Sequence, residues 1–146
     1  MFIPKIISGK RVDLVLVELL DNVNKTQDEP IIYNICLHNE NTIIGYCDLR
    51  FGYSENNYYY GNIGFSVTEK YRGNGYACEA VNLSKIIFKQ NNMNKIIIVN
   101  GLDNYASKRV CEKVGARLLK ICEVPKYLCD VEDENERLKN VWELKI

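Results

Sequence analysis

Tyr71-Arg72-Gly73-Asn74-Gly75-Tyr76-Ala77 is the stretch on which the reading of this chain turns. It follows the apolar run Asn62-Ile63-Gly64-Phe65-Ser66-Val67 and opens a helix-like run from Cys78 to Gln90. A strand, a tight glycine loop and a helix start together form a device for holding a phosphate. The first N–H groups of a helix have no intrahelical partner, and the helix dipole puts partial positive charge beside them. Gly73 and Gly75 can take backbone angles that other residues avoid and let an anion come close.

Outward from the loop, the helix carries Ala77, Ala80, Val81, Ser84, Ile87 and Phe88 at helical spacing, so one face packs on a sheet. Lys95-Ile96-Ile97-Ile98-Val99 is short and continuously apolar, the pattern of a buried parallel strand. The strand, helix and strand make a βαβ unit. Asp103 or Asn104 caps a second helix through Ser107, Val110, Cys111 and Val114, and Gly115 is placed to end it. On the other side, residues 31–37 and 42–50 form an antiparallel hairpin around His38-Asn39-Glu40-Asn41. Residues 12–20 read as an earlier strand, Ser54 to Asn57 as a turn, and Tyr58 to Val67 as a strand with its tyrosines on alternating faces. Arg117 to Cys122 and Val141 to Ile146 close the fold, and the acidic run 132–136 is a solvated loop or short helix. The expected class is α+β: helices on a mixed central sheet.

The chain has 146 residues, 47% hydrophobic and 26% charged, which suits one soluble domain spanning 1–146. Nineteen basic residues balance nineteen acidic ones, so no global field recruits nucleic acid or an anionic membrane. No apolar run reaches the roughly 18 residues of a membrane helix, and the N-terminus does not read as a signal peptide. Six cysteines without a C-x-x-C pair, and one histidine, offer no zinc spacing. Free thiols in a reducing cytoplasm, with no metal, are the expectation.

Three phosphate-loop classes can be separated. A P-loop needs Gly-Lys-Ser/Thr, which is absent from the sequence. A dinucleotide fingerprint, G-x-G-x-x-G/A, finds Cys78 at its last position and Asn100 where it wants an acid. Arg72-Gly73-Asn74-Gly75-Tyr76-Ala77 instead matches R/Q-x-x-G-x-G/A, and Asn104-Tyr105-Ala106-Ser107 leads into Glu112-Lys113-Val114-Gly115-Ala116. On these two blocks the chain resembles the GNAT N-acetyltransferase superfamily, most of all its RimJ/RimL-like branch. The resemblance covers residues 58–120 best and the hairpin 31–50 less well.

That resemblance implies a GNAT acyl-CoA N-acyltransferase fold in which acetyl-CoA is the cosubstrate. Pantetheine would lie between two splayed strands, pairing with backbone near Val67. The amides of Arg72, Gly73, Asn74, Gly75, Tyr76 and Ala77 would hold the pyrophosphate, with Asn104 near the acetyl end. The acceptor would be a primary amine such as a protein N-terminus or a polyamine, acetylated by direct attack. The competing reading is a non-catalytic acyl-CoA sensor or regulatory subunit.

Where many family members place a tyrosine acid, this chain has Cys111, a small core residue or a thiol donor. Ser107 is the better candidate acid. At the family's strand-four glutamate stands Asn62, whose neutral amide cannot take a proton. Glu123 is the candidate base, with Asp48 as another option and a water relay as a third. Glu79 reads as a structural partner near its helix start and His38 as an ordinary surface residue. Only Asp21 to Pro30 separates the first two strands, so the N-terminal helical region is shortened and the acceptor side open. A second copy of the chain or the segment 124–140 would complete it.

Overall fold

The computed structural model describes residues 1–17 and 29–146. The later part of the strand expected over 12–20 and most of the shortened region before Pro30 lie outside them. Five strands, β1 (Ile6–Ser8), β2 (Val12–Leu16), β3 (Ile31–Leu37), β4 (Ile43–Leu49) and β5 (Ile63–Val67), form one antiparallel sheet in that order. The hairpin is present as β3–β4. Helix α1 (Glu55–Tyr60) interrupts the path from β4 to β5. Beyond β5 come α2 (Tyr76–Gln90), β6 (Lys95–Gly101), α3 (Tyr105–Val114), β7 (Arg117–Glu123), α4 (Glu134–Arg137) and β8 (Leu138–Lys145). The last three strands make a second antiparallel sheet in the order β6-β8-β7.

The architecture is α+β as expected, but the central sheet is split in two. Between β5 and β6 there is no ladder. The join is made at Asn62, which is fully buried. Its backbone N–H donates to the Ile97 carbonyl (2.7 Å), and its Oδ1 accepts from the Ile97 N–H (2.8 Å). Its Nδ2 donates to the carbonyls of Arg50 (3.0 Å) and Gly52 (2.9 Å). A side chain thus stands in for a ladder bond, and past that point the strands part.

Two expectations are corrected. The strand expected to pair in parallel, β6, ladders among the described residues only with β8, and antiparallel. Tyr58-Tyr59-Tyr60 belongs to helix α1, not to a strand, and β5 begins only at Ile63. Ser54 caps the helix by accepting from the Asn57 N–H (3.1 Å), Glu55 sits at its positive end, and Gly61 ends it at φ +85. Local capping outweighs the strand preference of three tyrosines. Asn57, buried in α1, donates to the Phe51 carbonyl (3.0 Å). The acidic run contributes the short helix α4, capped by Asp133.

Helix α2 packs on β2 and β5. Its buried face is Ala80, Val81, Leu83, Ser84, Ile87 and Phe88, the face read from periodicity, and Phe88 stacks at a tilt on Phe51 (5.2 Å). All six cysteines are free thiols. Among the described residues no helix is long and apolar enough to cross a membrane.

His38 is more than an ordinary surface residue. Its Nδ1 lies 2.8 Å from Oδ1 of the buried Asp13, which also accepts from the amides of Gly9 and Asn39 (both 3.2 Å). Burial on its own would raise the Asp13 carboxyl; the His38 contact and the two amides outweigh it and hold the group below the usual carboxylate value. A depressed folded-state pKa means that the unfolded chain binds protons first. The stabilisation is therefore complete above the ordinary aspartate value, about 3.9, and is lost as pH falls through the folded-state value. In acid titrations of unfolding free energy, Asp13→Asn is expected to flatten the slope below about pH 4. An unchanged slope would show that Asp13 carries none of it. Asn62→Leu strands the Ile97 N–H and two carbonyls in the interior, so urea denaturation should show a loss of about 2–4 kcal/mol.

Candidate active site

Gly75 takes the left-handed conformation (φ +78, ψ +12) as the N-cap of α2, and Gly73 sits at φ +83. With a glycine at the cap, no side chain covers the first amides of α2, which stay available to an anion. A Cβ built at Gly73 would meet nothing within 4 Å and would project into open space. Gly73 and Gly75 also line a cavity of about 560 Å³, in the range of small-molecule sites. It lies between the β5 end, the glycine loop with the start of α2, and the first turns of α3. Two helix N-termini therefore open on it.

Of the expected cofactor residues, Val67, Arg72, Gly73, Gly75, Tyr76, Ala77 and Asn104 all line this cavity, together with Ser107. Asn74 does not; it shapes the loop from behind, its Nδ2 donating to the Tyr71 carbonyl (3.0 Å). Arg72 folds inward, with Nε donating to the Val67 carbonyl (2.7 Å). Thr68 N–H donates to the Ile44 carbonyl and so faces β4. By strand alternation the amides of Phe65 and Val67 face the opposite way, into the cleft. Asn104 caps α3, accepting from the Ser107 N–H (3.2 Å). Arg72, Arg109 and Lys113 give the lining three cations, and no carboxylate or histidine is among its described residues.

The catalytic expectations divide. Ser107 lines the cavity and its Oγ accepts from Asn100 Nδ2 (3.2 Å). Cys111 is fully buried away from the lining, touched by Asn100 Nδ2 at 3.6 Å, and burial pushes its thiol up to about 12. It is a core residue. Glu123, expected to face the acceptor, is outside the cavity: its Oε1 accepts from Arg137 Nη2 (2.7 Å) and Nε (3.2 Å). Arg137 is buried and also donates to the carbonyls of Val131 and Glu132 (both 2.8 Å), so the pair straps the 124–137 segment to the end of β7. Asp48 is committed to the β4–β5 ladder, accepting from the Gly64 N–H (2.7 Å) and lying 3.4 Å from Arg50. Glu79 is structural as expected, accepting from the amides of Lys10 and Arg11 (both 3.2 Å). Segment 124–140 packs on α1, where Tyr60 hydrogen-bonds the Leu128 carbonyl and Tyr127 hydrogen-bonds Glu55.

The residue that sequence reading missed is Arg11. Its Nη1 donates to the Asn74 carbonyl (2.6 Å), its guanidinium lies over the Tyr76 ring (5.2 Å), and a Cβ on Gly75 would meet its Nη2 at 3.3 Å. It clamps the loop from a turn more than sixty positions away. The signal in sequence was a basic residue in a Gly-Lys-Arg turn, which no local pattern connects to the loop.

Residues 13–117 match the family model described as an acetyltransferase (GNAT) domain. The chain belongs to the GNAT acetyltransferase family. It is by that membership an acyltransferase. Among curated proteins none matches the sequence. Among solved structures, an acetyltransferase (GNAT family) from Bacillus anthracis is 25% identical, with a TM-score of 0.61 over 78% of this chain and 65% of that one. Ribosomal-protein-S5-alanine acetyltransferase from Vibrio fischeri is similar at 15% identity and TM-score 0.68, covering 96% of each chain. RimL, a ribosomal L7/L12 α-N-protein acetyltransferase solved with coenzyme A, is similar at 19% identity and TM-score 0.61, over 80% of this GNAT chain and 62% of its own.

Arg11→Met keeps the aliphatic stem over Tyr76 but removes the clamp on Asn74. Calorimetric titration should show CoA affinity falling about tenfold, the weight of one charge-assisted hydrogen bond. Unchanged affinity would mean that the loop holds its shape without Arg11.

Proposed function

We propose that this GNAT protein is an acetyl-CoA-dependent N-acetyltransferase that acts on a primary amine by direct attack in a ternary complex. One observation carries the reading. A loop of two left-handed glycines and two helix N-termini meet in a cationic cavity at the mouth of a strand split. That is the arrangement for an anionic, elongated cosubstrate with a thioester at one end. The amides from Arg72 to Ala77 would hold its pyrophosphate, with Arg109 and Lys113 adding charge at the α3 wall. Acetyl-CoA would supply the activated acyl group.

The chain's own groups do the rest. Alignment of amine and thioester in one cleft accounts for much of the rate. A cleft-facing amide at Phe65 or Val67 is placed to donate to the thioester oxygen as charge grows there. The amine nitrogen forms a bond to the acyl carbon, the carbon–sulfur bond breaks, and the departing thiolate takes the Ser107 hydroxyl proton, which solvent replaces. We assign Glu123 to holding Arg137, and the amine proton to loss through solvent. That no carboxylate or histidine is among the described residues of the lining supports this. Among amines, a protein N-terminus is the acceptor we favour. The RimJ/RimL-like loop and helix blocks support that choice, as do the ribosomal-protein acetyltransferases among the structural neighbours. Segment 124–137, seated on α1, would wall the acceptor side.

The test is release of free CoA from acetyl-CoA over a panel of peptides with free N-termini, polyamines and small amines. Turnover is expected on at least one peptide. Tight CoA binding with intact acetyl-CoA across the whole panel would leave a sensor instead. Gly75→Glu, which puts a side chain and a negative charge in the loop, should abolish CoA binding; survival of binding would refute the loop assignment. Ser107→Ala should lower kcat by about 10²-fold with KM little changed.

A further inference from the structure

Asn100, at the end of β6, is buried between α3 and β8 and does not line the cavity. Its Oδ1 accepts from Trp142 Nε1 (3.1 Å) and from Asn140 Nδ2 (3.1 Å). Residues 140 and 142 share one face of β8 by strand alternation, so both donors arrive from the same side.

These contacts fix the orientation of the amide. An indole nitrogen only donates, so the Asn100 atom that faces it must be oxygen. Asn140 is fixed by the same logic, since its Nδ2 also reaches the Gly101 carbonyl (3.4 Å), which only accepts. The Asn100 amide therefore cannot be turned round, and its NH₂ must face α3. There it donates to Ser107 Oγ (3.2 Å) and approaches Cys111 Sγ (3.6 Å).

For Ser107 the consequence is directional. A hydroxyl has two lone pairs and one hydrogen, and Asn100 occupies a lone pair. The hydrogen must point elsewhere, and among the described residues no protein group accepts it. The Ser107 amide is already committed to Asn104. The open direction is the cavity that Ser107 lines.

We infer that Asn100, held by Trp142 and Asn140, is a positioning residue that forces Ser107 to present its hydroxyl hydrogen to the cavity as a proton donor. Donation from Asn100 also stabilises the negative charge left on Oγ as the proton departs, and the buried chain strengthens that effect by mutual polarisation. The inference rests on the acetyltransferase reading above.

The experiment is a kinetic cycle in the intact chain, using the amine found active. Asn100→Ala should lower kcat by about tenfold or more with the KM for acetyl-CoA within about twofold of wild type. Added to Ser107→Ala, it should cost nothing further, because the two residues act as one unit. Losses that multiply, or an Asn100→Ala enzyme with wild-type kcat, would overturn the inference. If Asn100→Ala does not fold, Trp142→Phe carries the same cycle: a smaller loss is expected that vanishes in the Ser107→Ala background, and a loss that persists there refutes the inference. A readout independent of turnover is the NMR signal of the Asn100 side-chain amide, which should shift in Ser107→Ala; a static signal sinks the contact. Absence of turnover by the wild type, in contrast, defeats the acetyltransferase reading and not the hydrogen-bond chain.

Discussion

The two sheets meet at Asn62, whose backbone N–H and carboxamide both bond to Ile97. Asn62 ties β6 to β5 through Ile97 and ties both to the end of β4 through the carbonyls of Arg50 and Gly52. An amide does this because it has an acceptor and two donors on one planar group. A carboxylate at the same place would turn acceptor oxygens toward two carbonyls. The two bonds to Ile97 attach the strands at one residue pair. Beyond it the inward-facing amides of β5 have no strand to pair with, and that unmet pairing is what makes the cleft a binding surface.

Where the chemistry is local in sequence, it was legible in sequence. The loop from Arg72 to Ala77, the helix that follows and the Asn104 cap each depend on residues within a turn of one another. Glycine at a positive φ and a capping side chain leave a mark that needs no tertiary context. The split between β5 and β6 was implied only by the family resemblance, since nothing in two apolar runs distinguishes strands that pair from strands that part.

Other parts were hidden for physical reasons. Tyr58-Tyr59-Tyr60 has the composition of a strand, yet Ser54 and Gly61 bracket it as one and a half turns of helix, and those brackets were the better evidence. Arg11 and Glu79 brace the loop across the fold, and Asp13 finds His38 across a strand pair. Such contacts are set by topology and leave no periodic trace. Glu123 was judged by its position at a strand end; its partner Arg137, fourteen residues on, could be seen only once the 124–137 segment had closed.

Charge is the last link between fold and chemistry. The chain is neutral overall, so its composition excluded a global field but said nothing of a local one. Folding gathers Arg72, Arg109 and Lys113 on one cavity with no carboxylate in its described lining, while Glu123 and Asp48 pair with Arg137 and Arg50 elsewhere. Such a cavity attracts a phosphate-bearing ligand. With no carboxylate or histidine in its described lining, the cavity has a candidate acid in Ser107 but no side-chain base. Two buried asparagines serve that cavity: Asn62 joins the strands at the point past which they part, and Asn100 directs the single hydroxyl of Ser107 into it.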